Sequence, residues 1–281
     1  MSQTPLLPPR QTSRILHEPG VPVIRSINWA GARALYLKEV RRFIKVQTQT
    51  IWAPSVTTLL YLLIFALALG GMQRRVLGVP FIDFIAPGLI AMAMIQATFA
   101  NASFSLLAGK MQGTIVDYLM PPLSTGELLA ALAAASVTRA MLVGLALWAV
   151  MMLVPALHVW PQHLWAIAWF GILGSTFVAF LGILTSVWSE KFDQSAAVTN
   201  FVIAPLSLLS GTFYSADRLP PLFQAISHAN PFFYVISGFR YGFLSAADTL
   251  VERGALILLG VTVVMGVVTY LVLRSGWRIK P

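Results

Sequence analysis

The chain has 281 residues, of which 57% are hydrophobic and only 10% are charged. Because ordinary soluble domains carry about 25% charged residues, this composition excludes a soluble globular protein and indicates an integral membrane protein. The absence of cysteine excludes disulfides, thiolate metal sites and cysteine nucleophiles. The net charge of +9 is concentrated in the N-terminal region and the C-terminal tail, as in cytoplasmic flanks of membrane spans, so we expect no nucleic-acid partner.

The N-terminal region contains two different segments before the first apolar run. Residues 1–25 include five prolines and are predicted to form a flexible cytoplasmic tail. Residues 26–50 place apolar side chains at helical spacing with basic side chains between them, which predicts an amphipathic helix on the inner membrane surface. A plain positively charged anchor beside a span would show the same pattern. Because the first long apolar run begins near Ile51, no cleavable signal peptide is expected.

The remainder, residues 51–281, is predicted to be an all-α domain with six transmembrane helices. A spanning helix needs about 20 mostly apolar residues. Six segments satisfy this requirement: 51–70, 84–105, 128–154, 163–188, 196–213 and 254–273. A seventh apolar stretch, 222–247, is ambiguous, because charged and proline residues interrupt the run that leads into it.

The distribution of positive charge resolves this ambiguity. With six spans and the N-terminus inside, 13 Lys and Arg face the cytoplasm and five, Arg240 among them, lie on the outer side. A seventh span would place Arg274, Arg278 and Lys280 outside, against the positive-inside bias. We therefore predict that 214–247 is an outer-side segment that dips into the membrane and returns between helices five and six, leaving both termini cytoplasmic.

Sequence patterns for catalytic sites are absent. The chain has no GxxxxGK[ST] phosphate loop, no HExxH and no GxSxG. Its four histidines are not paired at the spacing that metal ligands show; they are His17, His158, His163 and His228. We expect no catalytic residues, no metal and no cofactor, and any ATP would be bound by a partner chain.

Arg139 is the only ionisable residue deep within a predicted span. A charge at that depth costs about 2.5–3.5 kcal/mol on insertion scales, so it needs a carboxylate partner or a polar cavity. Alternatively, the span begins near Val137 and the Arg139 side chain reaches the inner surface. No carboxylate lies in the middle of a span, which argues against an ion-coupled carrier.

Two predicted inner loops carry apolar residues. Loop 106–127 places three apolar side chains beside a Pro-Pro pair, and loop 189–195 has one aromatic residue among polar ones. Exposed apolar residues on such loops indicate a protein-docking site, although contact with lipid headgroups would also explain them. The candidate docking residues are Tyr118, Leu119, Met120, Pro121, Pro122, Leu123 and Phe192.

Residues 200–240 begin like a membrane helix, break at Gly211, pass through a charged turn with Asp217 and Arg218, and become apolar again. This run resembles the signature of ABC-2 type transporter permeases. The residues that carry the resemblance are Pro205, Ser210, Gly211, Phe213, Tyr214, Pro220, Asn230, Pro231 and Arg240. The sequence LMPPLS at 119–124 and FIDFIAPGLIAM at 81–92 are also similar to that family, and the likeness extends over about residues 30–275.

The resemblance implies a half-transporter in a bacterial inner membrane. Two copies would form a homodimer and associate with a separate cytoplasmic ABC ATPase subunit, which the amphipathic helix and loop 106–127 would contact. Spans one, two and five would line a path for an amphipathic or lipid-linked substrate. The alternatives are an ion-coupled secondary transporter or channel for small amphipathic molecules, and an intramembrane enzyme.

Overall fold

Helices make up nearly all of the regular structure in the computed structural model, which describes residues 27–68, 75–155, 157–216 and 219–278. The helices are α1 (Trp29–Lys45), α2 (Ala53–Ala68), α3 (Phe81–Met111), α4 (Val116–Leu119), α5 (Thr125–Met151), α6 (Leu164–Trp188), α7 (Phe192–Val198), α8 (Ala204–Leu209), α9 (Pro221–Ala229), α10 (Pro231–Leu244) and α11 (Val251–Ser275). Two π-helical segments, Thr48–Trp52 and Thr199–Ile203, lead into α2 and α8. The predicted tail 1–25 and residues Asp217, Arg218 and Lys280 lie outside the described residues.

Five helical segments in the described part of the chain are long and apolar enough to cross a membrane. They are Thr48–Phe65, Phe81–Met111, Thr125–Met151, Leu164–Trp188 and Val251–Ser275. Each overlaps a predicted span, and the prediction of an all-α integral membrane protein is confirmed at this level. The sole strand pair among the described residues is a short antiparallel hairpin, β1 (Arg75–Val76) with β2 (Val79–Pro80).

The segment predicted as span five has a different boundary. It begins at Phe192, four residues before the predicted start, and runs through α7, the π-helical segment and α8, which have 7, 5 and 6 residues. That length corresponds to about 27 Å, slightly less than the ~30 Å of a bilayer core. Polar residues in its first turn, Asp193 and Gln194, make it less apolar than the five spans.

The break predicted at Gly211 is present. α8 ends at Leu209 with Ser210 as its C-cap, and Gly211 adopts φ 77°, a left-handed conformation that glycine tolerates without steric cost. Beyond the turn, α9 has 9 residues and α10 has 14, so neither is long enough to cross a bilayer alone. Asn230 caps α10 by accepting a hydrogen bond from Phe232 N, and Pro231 occupies its first position.

The core forms around α3. In the most apolar 18-residue window of α3, 89% of residues are buried, against 17% in the window of Thr48–Phe65 and 22% in that of α11. α3 packs between α5, α6 and α10 with fully buried aromatic side chains such as Phe84 and Phe99. The peripheral helices instead expose large apolar side chains, including Leu67 and Leu256. Such surfaces suit contact with lipid or with another membrane protein rather than with water.

The helix bundle has two ends, which we name from their contents. The α1 end contains α1, loop 112–124, the turn 189–191 and the end of α11; the Arg240 end contains the turn 210–216, residues 245–250 and the start of α3. At the α1 end, Lys110 Nζ donates to the carbonyl oxygens of Ser186, Val187 and Ser189 at 3.1, 2.7 and 2.6 Å. A cation at a helix C-terminus satisfies carbonyls that have no partner within the helix, so Lys110 fixes α3 to α6.

Candidate functional site

Glu127 joins the beginnings of α1 and α5 at the α1 end. Its Oε2 accepts from Ser124 N at 2.7 Å while Ser124 Oγ accepts from Glu127 N, which forms a capping box. Its Oε1 accepts from Asn28 N at 2.6 Å, and Asn28 caps α1 through Gly31 N at 2.9 Å. Asn28 Nδ2 also donates to Pro122 O at 3.1 Å. The predicted docking loop is thus held directly against the start of the amphipathic helix.

A buried carboxylate fastens the middle of α1 to the same loop. Glu39 is fully buried and accepts from Tyr118 OH at 3.0 Å and from Ser105 Oγ at 2.8 Å. Burial, together with the neighbouring Glu39 carboxylate, raises the pKa of Tyr118, which keeps the phenol protonated as a donor. Lys38 Nζ lies 3.9 Å from the centroid of the Tyr118 ring, a cation–π contact.

Arg42 extends this polar network into the bundle. Its Nη1 lies 2.8 Å from Oε2 of Glu39, an ion pair without hydrogen-bond alignment. Its Nη2 donates to Asn101 O and Oδ1, both at 3.2 Å, and to Ser105 Oγ at 3.1 Å. Asn101 Nδ2 in turn donates to Ser136 Oγ of α5 at 3.0 Å. α1, α3, α4 and α5 therefore share one hydrogen-bonded cluster.

Sequence reasoning missed Glu39, Asn101 and Ser105. Glu39 is the one acidic residue in a basic helix, a signal that could have marked it as paired. Asn101 and Ser105 lie four residues apart within the second span, which places them on one face of α3. Their partner on α1 lies about 60 residues earlier in the chain, and no local pattern connects them.

The candidate docking residues divide into exposed and buried members. Leu119, Met120, Pro121 and Pro122 are exposed, Met120 at 78%, and we name these four the loop patch. Leu123 is half-buried, and Tyr118 is buried at 7% against α1, so a docking partner would not contact the Tyr118 ring directly. Phe192 is partly exposed and stacks on Phe104 of α3, with ring centroids 5.2 Å apart.

The Arg240 end brings together most of the signature residues. Arg240 Nε donates to Phe84 O at 3.2 Å, Nη2 donates to Gly211 O at 2.6 Å, and Nη1 pairs with Asp248 Oδ2 at 2.6 Å. Asp248 Oδ1 also accepts from Ser215 Oγ at 2.6 Å. One guanidinium therefore connects the start of α3, the break after α8 and the loop after α10. Arg240, which the charge distribution assigns to the outer side, is completely buried within this end of the bundle.

The other signature residues stabilise the same break. Asn230 Nδ2 donates to Ser210 Oγ and to Leu206 O, both at 2.8 Å, and Tyr214 OH donates to Leu209 O at 3.0 Å. Phe213 contacts Phe65 of α2, with ring centroids 4.2 Å apart. The three prolines occupy helix starts: Pro205 in the first turn of α8, Pro220 as the N-cap of α9 and Pro231 at the first position of α10.

Arg139 lies in the middle of α5 and lines a cavity of about 380 Å³. Within the described part of the chain it has no carboxylate partner; Nη2 donates to Thr50 O at a long 3.4 Å, and Nε is buried without a hydrogen bond. The polar-cavity alternative for this residue therefore matches the structure. The side chain also points toward the α1 end, the direction in which a helical side chain leans.

Comparison with protein-family models shows which class of membrane protein the chain belongs to. Residues 31–244, from the beginning of α1 to the end of α10, match the family model described as ABC-2 type transporter. The chain belongs to the ABC-2 type transporter family. The match includes the loop patch, Arg139 and every signature residue, so the family domain contains part of each end of the bundle.

Individual relatives agree with this assignment. The chain is 34% identical over 248 residues to the inner membrane transport permease YadH of Escherichia coli K12, which covers 88% of this chain and 94% of that protein. It is 30% identical over 217 residues to nodulation protein J of Rhizobium leguminosarum bv. viciae, covering 76% and 81% of the two chains. The Sinorhizobium fredii nodulation protein J is 30% identical over 176 residues, covering 61% and 65%. This ABC-2 protein is therefore a transmembrane transport permease.

Proposed function

We propose that this chain is the permease subunit of an ABC exporter and that a separate cytoplasmic ATPase drives it. The observation that carries the proposal is the loop patch, an exposed apolar surface at the tip of a tightly bonded loop. Exposed apolar residues beyond the ends of membrane helices suit docking to a soluble protein. The chain has no phosphate-binding loop of its own, so ATP hydrolysis is assigned to the partner.

The contacts at the α1 end provide a route for coupling. A partner that presses on the loop patch also moves Tyr118, and Tyr118 is bonded to Glu39 of α1. Glu39 and Arg42 connect to Asn101 and Ser105 in α3, the central helix. Because every step is a buried or partly buried polar contact or a helix, we propose that displacement of the loop is transmitted to α3.

The proposed topology has six spans in a bacterial inner membrane, with both termini cytoplasmic and 192–209 as the fifth span. α9 and α10 then form the outer-side segment that enters the membrane and returns.

Two copies form a homodimer, for which the exposed faces of α2 and 192–209 offer surface, including Leu67 and Phe201. α3 is buried within its own chain and has little free surface to line a shared path. The proposed cargo is an amphipathic or lipid-linked molecule.

The proposal is tested by co-expressing the chain with each ABC ATPase subunit of the organism that encodes it. We expect the two to co-purify in detergent and the permease to change the ATPase rate. In the variants Leu119→Asp and Met120→Asp, the effect on ATP hydrolysis should be lost while co-purification persists. Leu250→Asp is the matched control at the Arg240 end, because Leu250 is 63% exposed, between Leu119 at 39% and Met120 at 78%.

Two outcomes would overturn the proposal. One is a permease that binds no ATPase under any of these conditions. The other is transport in vesicles driven by a pH gradient without ATP, which would assign the chain to ion-coupled carriers.

A further inference from the structure

Among the described residues, the cavity that contains Arg139 is lined by two guanidinium groups and no carboxylate. Arg42 and Arg139 line its walls together with polar residues from two elements, Gln49 and Thr50 before α2 and Asn101 of α3. Its volume of about 380 Å³ falls in the usual range for sites that hold small molecules or parts of larger ones.

The two arginines differ in how well their charges are compensated. Arg42 has the Glu39 carboxylate at 2.8 Å and three further acceptors. Arg139 has one long hydrogen bond, to Thr50 O, and a buried Nε without a partner. One positive charge in the cavity therefore remains without a counter-charge, which is an unfavourable arrangement unless an anion occupies the space.

The cavity has an opening and an apolar rim. Val46, Gln49 and Phe104 line it and are exposed, so a ligand reaches it from the surface of the bundle beside α1. Phe104 provides an aromatic wall, and its ring centroid lies 5.2 Å from the guanidinium carbon of Arg42. A ligand with an anionic group and an adjacent apolar portion matches this arrangement of charge and apolar surface.

We propose that the Arg42–Arg139 cavity is a binding site for a phosphate group, presented by an anionic lipid headgroup or as soluble phosphate. Guanidinium groups bind phosphate with two parallel charge-assisted hydrogen bonds, and among the described residues Arg139 Nε has no acceptor and Nη2 has only a long bond to Thr50 O. The site does not depend on the proposed ATPase partner. If the permease carries lipid-linked cargo, this is where the cargo's anionic group would bind at the α1 end.

The test measures binding to the full-length protein in a neutral detergent by isothermal titration at fixed ionic strength. The probes are short-chain phosphatidic acid, a diacylglycerol with the same chains but no phosphate, and inorganic phosphate. The variants are Arg139→Gln, which removes the free guanidinium, and Arg139→Lys, which keeps a charge. Arg253→Gln removes one charge from an exposed position at the Arg240 end and is the control.

We expect phosphatidic acid to bind at least about tenfold more tightly than the diacylglycerol. Arg139→Gln should lose at least about tenfold in affinity for phosphatidic acid, Arg139→Lys should recover part of it, and Arg253→Gln should match the native chain. Displacement by inorganic phosphate would show that soluble phosphate also binds; its failure would assign the site to the lipid headgroup. Equal binding by Arg139→Gln and Arg253→Gln, or equal affinity for the two lipids, would overturn the proposal.

Discussion

Arg240 and Arg139 lie within the helix bundle in opposite electrostatic situations. Arg240 has a carboxylate at 2.6 Å, two backbone carbonyl acceptors and the face of Phe84, 3.9 Å from its guanidinium carbon. Arg139 has a single acceptor at 3.4 Å and an Nε with no partner. One guanidinium is saturated by the protein, and the other retains free binding capacity.

This difference separates a structural role from a ligand-binding role. A buried charge is tolerated when its partners compensate for the lost hydration, and Arg240 uses its partners to hold three chain segments together. A buried charge with spare donors destabilises the empty protein and gains energy only when a ligand supplies the missing acceptors. We therefore assign the Arg240 contacts a structural role and propose that ligand binding occurs in the Arg42–Arg139 cavity at the α1 end.

Replacing Arg240 should have the largest effect on stability. Arg240→Met leaves Asp248 buried without its cation and frees the carbonyls of Phe84 and Gly211, so we expect a loss of about 3–5 kcal/mol. The measurement is the free energy of unfolding in mixed micelles titrated with dodecyl sulfate. The exposed Arg253→Met should change that energy by less than about 0.5 kcal/mol. Similar changes in the free energy of unfolding for the two variants would contradict the structural role of Arg240.

Glu39→Gln, at the α1 end, should lower the free energy of unfolding by an intermediate amount. The change removes the negative charge beside Arg42 and weakens the hydrogen bonds from Tyr118 and Ser105, which should cost about 1–3 kcal/mol. The cost is smaller than for Arg240 because Arg42 is partly exposed. We also expect faster proteolysis or hydrogen exchange in loop 112–124, because Tyr118 fastens that loop to α1. An unchanged exchange rate there would contradict the proposed fastening.

Arg139→Met should change the free energy of unfolding the least, and it should stabilise the protein where the other two substitutions destabilise it. Because the change removes a poorly paired buried charge, it should stabilise the ligand-free protein by about 1 kcal/mol. The same micelle titration measures it, in phosphate-free buffer and after removal of bound lipid. A loss of stability as large as that of Arg240→Met would show that the two arginines have equivalent structural roles and would contradict the claim that Arg139 is poorly compensated.

The sequence predicts the positions of the apolar helices well, because the length and apolarity that a helix needs to cross lipid can be counted along the chain. Predicted span 163–188 differs from α6 by one residue. Predicted span five starts four residues after the beginning of the helix that contains it, because Asp193 and Gln194 have the composition of a loop although they lie in the first turn of α7. Charged residues near a helix end do not exclude helix formation at the depth of lipid headgroups.

The polar contacts of the candidate site were much harder to predict. Charge counting assigns Arg240 to the outer-side segment, but it does not predict that the guanidinium is buried against Asp248, eight residues further along the chain. Tyr118 belongs to an apolar stretch and was taken for a docking residue, whereas its ring is turned toward α1. Arg139 stood out as a lone charge in a span, but the cavity it shares with Arg42 depends on how α1 packs.

The central claim, that a cytoplasmic ATPase docks on the loop patch, is tested most directly by site-specific cross-linking. The chain contains no cysteine, so Met120→Cys introduces a single reactive thiol at the exposed loop patch, and Leu250→Cys does so at the Arg240 end. Each variant is co-expressed with the ATPase and treated with a short thiol-to-amine cross-linker in membranes. We predict a permease–ATPase adduct for Met120→Cys and none for Leu250→Cys. An adduct from Leu250→Cys alone, or from neither position in a complex that still co-purifies, would contradict the claim.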